Sequence, residues 1–165
     1  MQKYKFTGIT KEVYGRTLNQ IVCVTAFASI KSGEIGGYIE KEVNLSQDGN
    51  AWVSGNAKVF GDAEVSGDAE VFGNAILRRG STETATDYIV IGPQGSRRSF
   101  ATLHLPSNTV CTGCFVGDLN EFKVAVSTSH NPNHCDDCKS FNEQYQRVIQ
   151  VFEFYAKDRQ DKDVQ

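Results

Sequence analysis

Residues 49–78 read GNAWVS GNAKVF GDAEVS GDAEVF GNAILR when written in sixes. Every hexad places alanine third (Ala51, Ala57, Ala63, Ala69, Ala75) and an aliphatic residue fifth (Val53, Val59, Val65, Val71, Leu77). A weaker frame runs back through Leu45 and Ile39 towards Gly37. Self-similarity at a fixed short period points to a solenoid before other folds are considered. Alternating apolar and polar residues give each short strand one inward face. Gly followed by Asn or Asp supplies the unusual backbone angles of a corner. Three corners close a triangular coil, so residues eighteen apart should stack: Asn56 over Asn74 and Val53 over Val71. The competing reading is a meander of hairpins, which rarely keeps so strict a six-residue period.

About seven hexads make little more than two coils, a small core with two ends to cover. Residues 1–36 read as irregular β-structure that caps the first coil, with Tyr4, Phe6, Val13 and Ile21–Ala26 in strands. Residues 37–78 are the repeat and residues 79–86 (RGSTETAT) a polar linker. Residues 87–165 read as a small α+β domain. Its strands are expected near 88–91, 99–105 and 109–111. Its helices are expected from Asp118, with Glu121 completing a capping box, and from Asp137 to Lys157. Trp52, Phe60, Phe72 and Ile76 fall at outward positions of the hexads, too many large apolar groups for a solitary prism. Packing against the C-terminal domain would cover them; self-association, a homo-oligomer with a trimer favoured, is the sharper expectation.

The composition narrows the partners. A formal charge of −3 offers no general field for nucleic acid or an anionic membrane, and any nucleic-acid role would need a local basic patch, for which Arg97–Arg98 is the candidate. The most apolar stretch, Ile21–Ile30, is too short to span a bilayer, and the N-terminus lacks the apolar centre of a signal peptide. A cytoplasmic location with reduced cysteines is the default expectation.

The stretch IVCVTAFASIKSGEIGGYIEKEVNLSQDGNAWVSGNA, residues 21–57, resembles phage and prophage proteins in which an N-terminal cap leads through a Gly-Gly-aromatic-Ile turn into hexapeptide coils. The C-terminal half is similar to a domain on such proteins: Ile91-Gly92-Pro93-x-Gly95-Ser96-Arg97, then Gly113-Cys114-Phe115-x-Gly117, then His130 after a helix. The resemblance implies a mainly β fold with a short left-handed parallel β-helix, and it implies the bacterial host cytoplasm as the location. These proteins carry an acyltransferase-like label because hexapeptide acyltransferases share the coil. The chain departs from the pattern at Thr112, where the pattern has cysteine, and Cys135 and Cys138 lie outside it.

Acyl transfer needs a general base, and hexapeptide acyltransferases place a histidine on or beside the coil. This chain has no histidine before His104, and the coil is too short for a long coenzyme A cleft. An acyltransferase is therefore the disfavoured alternative, beside a purely structural or protein-interaction module. The cysteines read Cys111-x2-Cys114-x20-Cys135-x2-Cys138, a spacing suited to a tetrahedral structural zinc; the alternative is a buried Cys114 among free thiols. A Cys114–His130 nucleophilic pair lacks an identifiable third group.

The loop from Gly92 to Arg98 is the ligand candidate. Gly92 and Gly95 free the backbone, Ser96 adds a hydroxyl, and Arg97 and Arg98 add guanidinium groups suited to phosphate. A tight turn with solvated arginines is the plain alternative. The expectation is a non-enzymatic, phage-type oligomeric binding protein. Its partner would be a phosphate-bearing nucleotide signal, sequestered in counter-defence, or a host protein.

Overall fold

Two strands, β1 (Tyr4–Val13) and β2 (Arg16–Cys23), open the chain as an antiparallel hairpin. Tyr14 and Gly15 make its two-residue turn with φ of 51° and 73°, the sense of turn that matches the twist of the strands. This computed structural model describes residues 2–131 and 136–163. The chain divides into two units, Met1–Asp87 and Tyr88–Gln165.

In the first unit the hairpin is followed by β3 (Ile35–Ile39), β4 (Trp52–Val53), β5 (Lys58–Val65), β6 (Glu70–Val71) and β7 (Ile76–Thr82). Five strands form one sheet in the order β1-β2-β3-β5-β7, antiparallel from β1 to β3 and parallel from β3 to β7. The pair β4–β6 is parallel and separate. The expected left-handed parallel β-helix is thus not the fold: the sheets are mixed, and the largest is continued by an antiparallel hairpin. The physical reason is the shortness of the repeat. So few hexads cannot bury their own faces, and the β1–β2 hairpin extends the sheet where further coils would have to stand.

The hexads nevertheless set local register. Trp52 pairs with Glu70, Val53 with Val71, Lys58 with Ile76 and Val59 with Leu77, each eighteen residues on. Asn50 Nδ2 donates to Asp68 Oδ1 across the same spacing at 2.9 Å. All five third-position alanines and all five fifth-position aliphatics are buried. The corner glycines hold positive φ, and a Cβ on Gly49 would lie 2.8 Å from the carbonyl oxygen of Gly67. Strand β7 runs on to Thr82, so strand occupies part of the stretch read as a linker.

Two of the four apolar side chains expected to point outward do not. Trp52 and Phe60 are buried; Trp52 meets Phe27 edge-on at 5.7 Å, and Phe60 packs 6.1 Å from Tyr14 at the hairpin turn. Phe72 is exposed and Ile76 half-buried. The N-terminal segment therefore covers two of the four apolar side chains on which the expectation of self-association rests.

Buried polar groups tie the first unit together. Lys3 donates to the carbonyls of Asp48, Gly49 and Ala51 at 3.2, 3.4 and 2.9 Å, with its ammonium 5.0 Å from the Phe27 ring. Asn44 Nδ2 donates to the carbonyls of Ala63 and Gly61, while its Oδ1 accepts from Lys41 N. Glu40 accepts two bonds from Arg16 at 2.7 and 2.9 Å and one from Gly61 N at 2.7 Å.

The second unit contains β8 (Tyr88–Gln94), β9 (Ser99–His104), β10 (Thr109–Thr112), β11 (Phe115–Asp118), α1 (Leu119–Ser129) and α2 (Asp136–Asp163). The four strands form an antiparallel sheet in the order β11-β10-β9-β8. Alternation along the strands places Ala101, Leu103 and Val110 in one apolar cluster. Leu119, Phe122 and Val126 of α1 join it, as do Tyr145, Val148, Ile149 and Phe152 of α2, at helical spacing. Asp118 accepts from Glu121 N at 2.8 Å and Glu121 Oε2 accepts from Asp118 N, so the expected capping box starts α1. No described helix is long and apolar enough to cross a membrane.

Candidate functional site

The β8–β9 connection is a tight turn over residues 95–98, closed by Arg98 N donating to Gly95 O at 3.0 Å. Gly95 takes φ of 67° and donates its N–H to Gln144 Oε1 at 3.0 Å. A Cβ there would lie 2.5 Å from the Tyr145 hydroxyl, so glycine lets the turn settle directly on α2. Gly92 lies within β8, where a Cβ would meet Phe100 Cα at 2.8 Å. The loop expected to converge backbone N–H groups on a phosphate is therefore differently employed. One glycine is packed in a strand, and the other has its N–H committed to Gln144.

What the turn does present is side chain. Beside it, Thr112 pairs with Phe115 across the two-residue turn Gly113–Cys114, with Gly113 at φ of 51°. Arg97 crosses to this second turn, and its Nη1 donates to Cys114 Sγ over 3.7 Å. The two turns and the C-terminal end of α1 surround a cavity of about 250 Å³. Ser96, Arg97, Ser99 and Cys114 form one part of its lining. Phe115, Phe122, Ala125 and Val126 form an apolar part, and Thr112, His130 and Tyr145 complete its polar side. Among the described residues no carboxylate lines it, so the Arg97 guanidinium sets its charge.

The His130 ring stacks on Tyr145, with 5.2 Å between centroids and 18° between planes. As the residue closing α1, His130 donates its N–H to Val126 O, and its carbonyl accepts from Asn142 Nδ2 at 2.9 Å. The ring is thereby tied to both helices. Burial pushes the Tyr145 phenol up, while the Thr112 hydroxyl and the Arg97 charge oppose that rise.

Thr112 is the unexpected member. By alternation it continues the helix-facing row of Val110, yet it places a hydroxyl where that row is otherwise apolar. It is 7% exposed, and its Oγ1 is buried against the Tyr145 phenol.

Of the five residues expected to bind a ligand, Ser96 and Arg97 line the cavity, whereas Gly92, Gly95 and Arg98 do not. Of the four cysteines read as zinc ligands, Cys111 is buried in β10 and Cys114 is exposed on the turn, neither of them in a disulfide. Alternation turns Cys111 to the face opposite Val110, away from the cavity. Cys138 lies in α2 and is not a free thiol, and Cys135 falls outside the described residues. Among the described residues no group of three or more His, Cys, Asp or Glu is placed to hold a metal ion.

No family model matches the chain, and comparison with curated proteins gives no match. In its own terms the second unit offers a small concave site with aromatic walls, one fixed cation and several hydroxyls, the composition that small-molecule sites share.

Proposed function

We propose that this is a binding protein that holds a small phosphate-bearing nucleotide in the cavity of its second unit without turning it over. The observation that carries the reading is the pairing of Arg97 with aromatic walls around one cavity. A planar base suits the apolar side formed by Phe115 and Phe122, and a phosphate suits the forked guanidinium of Arg97. At about 250 Å³ the cavity lies near the lower bound for small-molecule sites, so it favours a mononucleotide or one half of a larger ligand. The resemblance to phage proteins makes sequestration of a host nucleotide signal the physiological role we favour, with homo-oligomeric assembly as part of that proposal.

Calorimetric titration of mono- and cyclic nucleotides into the protein and into Arg97→Ala tests the reading. Binding of at least one nucleotide is expected, weakened about tenfold or more by the substitution, the loss of a charge-assisted pair. Equal binding by both proteins, or none by either, would overturn it.

A further inference from the structure

Helix α2 gives Tyr145 to the cavity, but it also carries a second apolar face away from it. Its core side is set by Tyr145, Val148, Ile149 and Phe152. At 3.6 residues per turn, Val151 and Glu153 stand on opposite flanks of Phe152. The Glu153 flank is held by α1, through the ion pair with Lys123. On the other flank Val151, Phe154 and Tyr155 are 39%, 68% and 45% exposed. Arg147 and Val151 there line a small groove of about 160 Å³ with Ile91 and Gln94 of β8. Three large apolar groups within two turns of an otherwise polar surface mark a contact face. Their setting has the spacing of a coiled-coil seam: Gln144, Arg147, Val151, Phe154, Asp158 and Asp161 alternate steps of three and four.

We propose that this seam is the contact of a two-fold dimer, with α2 packed antiparallel on α2 of a second copy. A two-fold axis midway between residues 152 and 153 sets Val151 against the partner's Phe154, and Phe154 against the partner's Val151. The same axis sets Arg147 against the partner's Asp158 and Gln144 against the partner's Asp161. Each pairing occurs twice, so an apolar centre is closed at both ends by opposite charges. In a parallel, in-register pair Arg147 would face its own copy, as would Asp158 and Asp161, and like charges would repel. The seam complements itself when reversed, and that charge pattern selects a second copy as the occupant. It runs for about 25 Å along the helix. One helix pair of that length falls at the small end of specific interfaces, so the dimer is a weak one. The inference rests on the homo-oligomeric part of the proposed function, to which it gives a face and a symmetry outside the hexads. It uses no part of the nucleotide reading.

The test is sedimentation velocity of the full chain, without nucleotide, at concentrations from about 1 to 500 μM, a range chosen to bracket a weak interface. A monomer–dimer equilibrium is expected, with a dissociation constant on the order of 10–100 μM. Phe154→Asp should abolish the dimer at every concentration. Because that side chain is exposed, its melting temperature in dilute solution should stay close to that of the parent chain. Arg147→Asp and Asp158→Arg should each weaken the dimer about tenfold or more. The doubly reversed chain, carrying both substitutions, should return to within about threefold of the parent, which a merely local role for either residue would not produce. A monomer throughout, a trimer, a dimer that survives Phe154→Asp, or a double reversal no tighter than the single ones would each overturn the proposal. An assembly that ignores the α2 variants would place the contact on another face and leave homo-oligomerisation itself standing. Nucleotide titration of Arg97→Ala reports on the cavity separately.

Discussion

Arg97 and Cys114, from two different turns, meet at 3.7 Å over one cavity of the second unit. Neither turn could make that site alone. The β8–β9 turn brings the cation, the β10–β11 turn brings the thiol, and β11, α1 and α2 supply the aromatic walls. The meeting depends on how closely the first turn sits on α2, and glycine at position 95 controls that distance.

Gly95→Ala should therefore damage both stability and the site. The alanine backbone would have to hold a φ of 67°, and its methyl would lie 2.5 Å from the Tyr145 hydroxyl. The expected cost is about 1–3 kcal/mol, seen as a melting temperature lowered by several degrees. A melting curve that superimposes on that of the parent chain would show that the turn can lift off α2 freely.

In the first unit Glu40, the residue after β3, bridges two further strands, accepting from Arg16 in β2 and from Gly61 in β5. Burial alone would raise its carboxyl, but the Gly61 N–H and the Arg16 guanidinium outweigh burial and hold it below the usual carboxylate range. A depressed folded-state value means that this stabilisation is present above the ordinary carboxylate range and is lost as pH falls through the lowered value. Glu40→Ala should cost about 1–3 kcal/mol at neutral pH in urea unfolding. The variant should also lose stability less steeply on acidification.

Tyr4 makes the opposite case at the alkaline end. Its hydroxyl donates to Leu45 O at 2.7 Å and to Glu42 O at 3.0 Å, and burial followed by the Glu42 charge pushes its phenol up to about 12. A raised folded-state value gives stability that is complete below the ordinary phenol value of 10 and is lost as pH rises towards 12. Tyr4→Phe should be less stable by about 1 kcal/mol near neutrality and should lose that part of the alkaline transition. Spectrophotometric titration of the phenols alongside denaturant unfolding checks both expectations.

Legibility followed the range of the interactions. The Asp118–Glu121 capping box could be read from the chain because its partners stand three residues apart. The eighteen-residue pairings of Val53 with Val71 and Val59 with Leu77 could be read because the hexads repeat their own chemistry. The closure of those hexads into a β-helix could not be read correctly. It depended on whether seven hexads would stack by themselves or be continued by the hairpin, and Trp52 on Phe27 and Phe60 on Tyr14 record that competition. At the site, the Gly-Ser-Arg turn drew attention to Arg97 for its chemistry. Thr112 and Tyr145 were hidden because their meeting requires strand alternation and helix docking together, and neither leaves a local motif. Only the departure at position 112 marked that residue at all.

The most direct test of the account is amide chemical-shift mapping of the isotope-labelled chain during titration with a panel of mono- and cyclic nucleotides. Saturable shifts concentrated at Ser96, Arg97, Gly113, Cys114 and His130 are predicted for at least one nucleotide, and in Arg97→Ala they should need about tenfold or more nucleotide to reach the same size. Shifts clustered elsewhere on the chain, or none with any nucleotide, would contradict the account.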